Sequence, residues 1–150
     1  MKRMTHLAPT DASAVALFRR ELRGEVVMLN LLRLRQTADY SAHPALYPQT
    51  PISGREAFQR YIDHTLPLLR ASGGELLFLG EGGAFFIGPQ DEQWDLAMLV
   101  RQRSVQSFID FATDDAYLAI AGHREAALVD SRLLPLQATG NGLSADSVRR

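Results

Sequence analysis

Apolar side chains are densest between Glu25 and Arg35, in the run Glu-Val-Val-Met-Leu-Asn-Leu-Leu-Arg-Leu-Arg. Neither Gly nor Pro interrupts it, and its one uncharged polar residue is Asn30. A strand that is apolar on both faces is buried on both faces. Val26, Met28, Leu32 and Leu34 fall on one side, and Val27, Leu29 and Leu31 on the other. Two covers are therefore required, and Asn30 must find hydrogen-bond partners or cost a few kcal/mol.

Helical spacing appears four times around this strand. Thr10-Asp11 opens a short N-terminal helix whose Val15, Phe18 and Leu22 recur on one face, with Gly24 closing the segment. Ser53-Gly54-Arg55-Glu56 has the capping-box pattern. Phe58, Tyr61, Ile62, Thr65, Leu66 and Leu69 then form an apolar stripe that Gly73-Gly74 ends in left-handed geometry. Pro67 lies inside that stripe, so a kink is expected between Asp63 and Pro67. Ser104 caps a further helix carrying Val105, Phe108, Ile109 and Ala112, and Asp114 starts a short one with Tyr117, Leu118 and Ala121.

Strand patterns fill the remainder. Glu75 to Gly88 alternates as a strand, with small residues at Gly80 to Gly83 that point to a bulge or sharp bend. A polar turn at Pro89 to Gln93 leads to a strand over Trp94 to Gln102, so the two form an antiparallel hairpin. His123 to Ala127 fits helix or loop. Leu128 to Gln137 is a last strand that Pro135 restricts to an edge or a bulged end. Gln36 to Ser53, with three prolines and no period, is long enough to be a lid or binding loop. From Ala138 the composition is that of a disordered tail. Residues 1–137 thus make one domain, an N-terminal helix over 1–24 and a core over 25–137, followed by a tail over 138–150.

Setting the N-terminal helix aside, the order is strand, helix, strand, strand, helix, strand. That is the split βαββαβ arrangement of an α+β, ferredoxin-like fold. Right-handed crossovers put both helices on one face of the four-stranded antiparallel sheet and leave the other bare. A bare face lined by Val27, Leu29 and Leu31 exceeds the apolar patches that monomers tolerate, so a homodimer through the sheet faces is expected.

The same segments carry a family resemblance. Val26-Val27-Met28-Leu29-Asn30-Leu31-Leu32-Arg33, Gly54-Arg55-Glu56-Ala57-Phe58-Gln59-Arg60-Tyr61, Leu66-Pro67-Leu68-Leu69, Gly73-Gly74, Trp94-Asp95 and His123-Arg124-Glu125-Ala126-Ala127 ahead of Asp130-Ser131-Arg132 resemble the domain-of-unknown-function 1330 family. The likeness runs from about Val26 to Leu136. Arg103 stands where that pattern has a proline before the capping serine, a change confined to the turn. The resemblance implies the dimeric α+β barrel superfamily, and with it the sheet-to-sheet dimer. It brings no established activity, although superfamily relatives include cofactor-independent monooxygenases, isomerases and dechlorinating enzymes that act on small hydrophobic or aromatic molecules.

Four residues are candidates for chemistry. Asn30, on a central strand, could orient a carbonyl or enolate, or simply tie two segments together. Tyr61 and His64 are neighbours three apart on a helix and could act as acid and base, or else be a tethered core tyrosine beside a half-exposed histidine. Arg124 could grip a carboxylate, or pair with Asp130 or Asp95 to fasten the last strand, or make a contact across the dimer. Trp94, His123, Tyr117 and Arg33 are candidates for substrate contact, and Tyr40, His43 and Tyr47 could cover a pocket from the long loop.

Composition removes several alternatives. Sixteen basic residues balance 17 acidic ones for a formal charge of −1, without the basic footprint of a nucleic-acid binder. Zero cysteines exclude disulfides and thiolate sites and fit a reducing compartment. The four histidines, at 6, 43, 64 and 123, lack metal-ligand spacing, so neither a metal nor a cofactor is expected. No stretch has the length of a signal peptide or a membrane span, and the expected location is the cytoplasm.

Overall fold

The computed structural model describes residues 4–139 and 143. Most of the tail expected after Ala138 therefore lies outside the described residues. The elements are α1 (Asp11–Arg19), β1 (Val26–Leu34), α2 (Gly54–Ala71), β2 (Glu75–Ala84), β3 (Gln93–Gln102), α3 (Val105–Thr113), α4 (Asp115–Ile120), α5 (Gly122–Ala127) and β4 (Leu128–Leu136). The strands form one sheet in the order β2-β3-β1-β4, with antiparallel pairing throughout. This is the α+β, ferredoxin-like arrangement.

Strand β1 lies at the centre and alternates as its pattern requires. Val26, Met28, Asn30 and Leu32 are buried, whereas Val27, Leu29 and Leu31 are half-buried on the opposite face. Leu32 joins Leu96 and Met98 of β3 beneath Ala57, Phe58, Tyr61 and Ile62 of α2 and Ala126 and Ala127 of α5. On the other face, Leu29 stands opposite both Leu99 and Leu134, and Leu99 opposite Phe78. That apolar row crosses all four strands, and Phe78 and Leu134 at its ends are 56% and 52% exposed.

Local chemistry sets the ends of α2. The Ser53 side chain accepts from the Glu56 amide at 3.0 Å. Past the C-terminus Gly73 takes φ +86°, and the Gly74 amide donates to Leu69 O at 2.9 Å. The helix is continuous through Pro67. Pro67 and Asp63 are both exposed, so water can satisfy the carbonyl that the proline leaves without a donor.

Two expectations are corrected, and one open reading is decided. Helix α1 stops at Arg19 and buries none of its residues. Glu21 turns left-handed at φ 50°, which ends the helix before Leu22, and Val15 and Phe18 stay exposed. In β2 the register shifts between Leu76 and Phe78, while Gly80 to Gly83 continue the ladder up to Ala84. The bend expected at the glycines thus lies nearer the strand start, and 85–88 fall outside the strand. The segment 123–127 is helical and is followed directly by β4.

Gln36 to Ser53 is pinned rather than free-standing. Thr37 bridges Ser53, a single 3-10 turn spans Pro44–Leu46, and the Asp39 amide donates to Ala126 O at 2.8 Å. The segment lies against α5. Gly122 permits the approach, because a Cβ there would lie 2.6 Å from the His43 ring.

Candidate functional site

The junction of α2, α5 and the 36–53 segment gathers the titratable side chains. Tyr40 Oη lies 2.7 Å from His123 Nδ1, and both residues are buried. The His123 ring also stacks on His64, with centroids 5.7 Å apart and planes 8° from parallel. Nearby, His43 Nε2 is 2.5 Å from Glu125 Oε2, which fastens the segment to α5 a second time.

Environment sets the protonation of this group. His123 is held below the ordinary histidine value, first by burial and then by its neighbours His64 and Arg60. It is therefore neutral at pH 7. Burial pushes the Tyr40 phenol above its usual value against the pull of Arg60, so it stays protonated. His123 Nε2 makes no hydrogen bond among the described residues, yet it is not one of the buried polar atoms sealed off without a partner. One ring nitrogen is engaged and the other is open.

The expected pair on α2 divides. Tyr61 turns into the core, where its hydroxyl meets the Tyr117 hydroxyl at 2.8 Å. Burial, then Tyr117, raises its pKa far beyond the usual phenol range. His64 is exposed and turns toward α5. Tyr61, Tyr117 and Phe111 form an aromatic contact chain between α2, α4 and α3.

The remaining candidates do not join this cluster of rings. Asn30 is buried, and its Nδ2 donates to Met28 O of its own strand at 3.2 Å. Arg124 donates to Leu7 O at 2.9 Å and to Ser131 Oγ at 3.3 Å, which ties the N-terminal arm to β4. The partners expected for it are taken. Asp130 Oδ1 accepts from Arg132 and from the His6 amide, and Asp95 accepts from the Leu34 amide at 2.7 Å. Asp130 is held below the ordinary carboxyl value: burial raises it, but the bonds from His6, Arg132 and Ser131 prevail.

Trp94 is buried and sits under two guanidinium groups, Arg132 at 4.9 Å and Arg33 at 5.2 Å from its ring centroid, while Nε1 donates to Glu92. Arg33 also donates twice to Gln93 O. The surface hollows include one of about 540 Å³ on α1 and one of about 370 Å³ lined by Arg33, Asp91, Gln93 and Asp95. Neither is lined by Asn30, Tyr61, His64 or Arg124. Among the described residues, no group of three or more His, Cys, Asp or Glu side chains could hold a metal ion, and no helix is long and apolar enough to cross a membrane.

Comparison with known proteins places the chain. The solved structure of the RPA0582 protein of Rhodopseudomonas palustris, a protein of unknown function, is 34% identical, with 92% of this chain and 100% of that one covered and a TM-score of 0.76. The chain belongs to the RPA0582 family. The methylated RPA0582 protein gives the same identity over 93% of this chain and 98% of that one, with a TM-score of 0.78. A dimeric protein of unknown function with a ferredoxin-like fold from Bacteroides fragilis is 14% identical over 75% of this chain and 95% of that one; its TM-score of 0.41 carries no argument. No family model and no curated protein matches the chain. Membership in the RPA0582 family establishes a fold and a lineage, without an activity.

Sequence pattern alone did not pair Tyr40 with His123, because 83 positions separate them. The available signal was Gly122, a small residue just before a histidine where the 36–53 segment must pass close.

Proposed function

We propose that this protein is a small cofactor-free enzyme, a member of the domain-of-unknown-function 1330 family within the dimeric α+β barrels, that moves a proton on a small apolar or aromatic carbonyl compound. The observation that carries this reading is the Tyr40–His123 pair: a neutral buried imidazole with one nitrogen held and the other open. A base is most useful when it is unprotonated at the working pH and fixed in direction.

In this reading the Nδ1–H of His123 donates to Tyr40 Oη, which leaves the Nε2 lone pair as the base. The C–H bond next to the substrate carbonyl breaks, its electron pair passes into the enolate, and the proton goes to Nε2. Return of that proton to the enolate oxygen completes a keto–enol tautomerisation, and in a β,γ-unsaturated substrate, where the electron pair spreads over a dienolate, return to the γ-carbon moves the double bond. His64, stacked on the ring, fixes its plane. Asn30, Tyr61, Tyr117 and Arg124 serve as structural ties through the bonds described above, while Trp94 and Arg33 hold the far end of the sheet.

The working unit is a homodimer paired through the bare sheet face. The exposed row from Phe78 to Leu134 supports this, because monomers rarely leave such a contiguous apolar patch open. Incubation of aromatic and apolar ketones and keto acids with the protein in D2O tests the activity. Deuterium should enter next to the carbonyl at a rate that His123→Gln removes. Equal exchange in wild type and His123→Gln, or none across the panel, would refute it.

A second reading, a non-catalytic dimer that binds a small ligand, is favoured by the tethering of Tyr61 to Tyr117 and of Asn30 to its own strand. It predicts that His123→Gln leaves ligand affinity unchanged.

A further inference from the structure

The junction described above carries an unmet charge. Arg60 lies one turn before His64 on α2, so the two side chains neighbour each other on that helix. Arg60 is exposed, and among the described residues its guanidinium makes no hydrogen bond and no ion pair. The carboxylates within reach are occupied elsewhere. Glu56 accepts from Ser53 Oγ at 3.3 Å, Asp63 accepts from Gln59 at 2.8 Å, and Glu125 holds His43. The positive charge of Arg60 acts on both Tyr40 and His123, and His64, one turn further along α2, stacks on the His123 ring.

We propose that Arg60 and His64 form the anchor for a carboxylate group of the ligand, so that the substrates of this protein are small apolar or aromatic acids. This rests on the functional reading above and narrows its substrate class. An arginine offers a planar fork that matches a carboxylate, and the His64 ring offers a ring N–H as a second donor one helical turn away. The apolar body of such an acid has a wall to lie against, because the exposed Tyr47 ring packs edge-on to Tyr40 at 6.0 Å. Bound charge would also change His123. The groups that act on that imidazole are Arg60 and His64 from α2 and Tyr40 from the loop; Glu125, the nearest carboxylate in sequence on its own helix, is held by His43. An arriving carboxylate offsets the repulsion from Arg60 and His64, and so the His123 pKa rises on binding.

Histidine ring NMR of the full chain tests this, with benzoate as the probe and benzamide and inorganic phosphate as controls. Benzoate should move the His64 and His123 ring resonances and raise the His123 pKa, and Arg60→Gln should weaken its binding roughly tenfold or more, as expected for loss of a charge-assisted pair. Benzamide, which lacks the charge, should bind at least as weakly. Unchanged affinity in Arg60→Gln, or equal effects of phosphate and benzoate at the same concentration, would overturn the proposal. Arg60 is exposed and outside the core, so Arg60→Gln should fold normally. The outcomes separate the two readings: Arg60-dependent benzoate binding without proton exchange on any carbonyl keeps the anchor and rejects the enzyme. Exchange on keto acids that Arg60→Gln leaves at the same KM keeps the enzyme and rejects the anchor.

Discussion

Tyr40 and His123, 83 residues apart in sequence, share a hydrogen bond of 2.7 Å inside the protein. The bond joins a loop with no periodic pattern to a six-residue helix, and it is what makes the 36–53 segment part of the site.

Tyr40→Phe should cost about 1–3 kcal/mol, because a buried imidazole nitrogen is left without its partner while the ring packing is kept. Urea denaturation at pH 7.5 measures this. A loss within error of zero would mean that water reaches Nδ1 and the bond is not a tie.

Acid should weaken the fold in a window set by His123. Its folded pKa lies below the ordinary value of 6.5, so the unfolded chain binds the proton more readily. Stability from the neutral ring is therefore whole above pH 6.5 and declines as pH falls from there toward the folded value. Denaturation curves between pH 8 and 5 should show the decline in wild type and a flatter profile in His123→Gln. Asp130 contributes separately and lower, with stability that fades as pH drops below the usual 3.8.

Gly122→Val should lift the 36–53 segment from α5. A Cβ at that position would lie 2.6 Å from the His43 ring and 2.8 Å from Leu46, closer than side chains pack. Hydrogen exchange at the Asp39 amide, which bonds Ala126 O, should speed up while amides in β1 stay protected. Uniform loss of protection would show that the segment is not a separable unit.

The bare sheet face gives a prediction about assembly. Sedimentation at micromolar concentration should return a mass near twice 16.6 kDa, and Phe78→Glu, on the exposed row, should shift it toward one chain. A monomeric wild type would contradict the packing argument.

The fold was legible because β1 alternates cleanly and its neighbours punctuate themselves. Ser53 and Gly73-Gly74 bracket α2, Ser104 caps α3, and the hairpin turn is polar. Helix α1 was legible only in part: its Thr10 cap formed, yet its apolar spacing misled, since Glu21 breaks the helix before Leu22 and the described residues leave Val15 and Phe18 uncovered. Helical spacing put Tyr61 beside His64, but it does not say which way each ring turns. Tertiary packing sends one to Tyr117 and the other to His123. For Arg124 the sequence offered a substrate carboxylate, an ion pair with Asp130 or Asp95, or a contact across a dimer; in the structure it meets a backbone carbonyl of the N-terminal arm and Ser131 of β4, partners that side-chain types cannot announce.

The most direct test of a neutral, Tyr40-held base is nitrogen-15 NMR of the His123 ring in the intact protein. The account predicts an uncharged ring at pH 7, protonated on Nδ1 and bare on Nε2, that accepts its second proton only below the ordinary histidine range. A ring that titrates at 6.5 or above, or one whose single proton sits on Nε2, would contradict it.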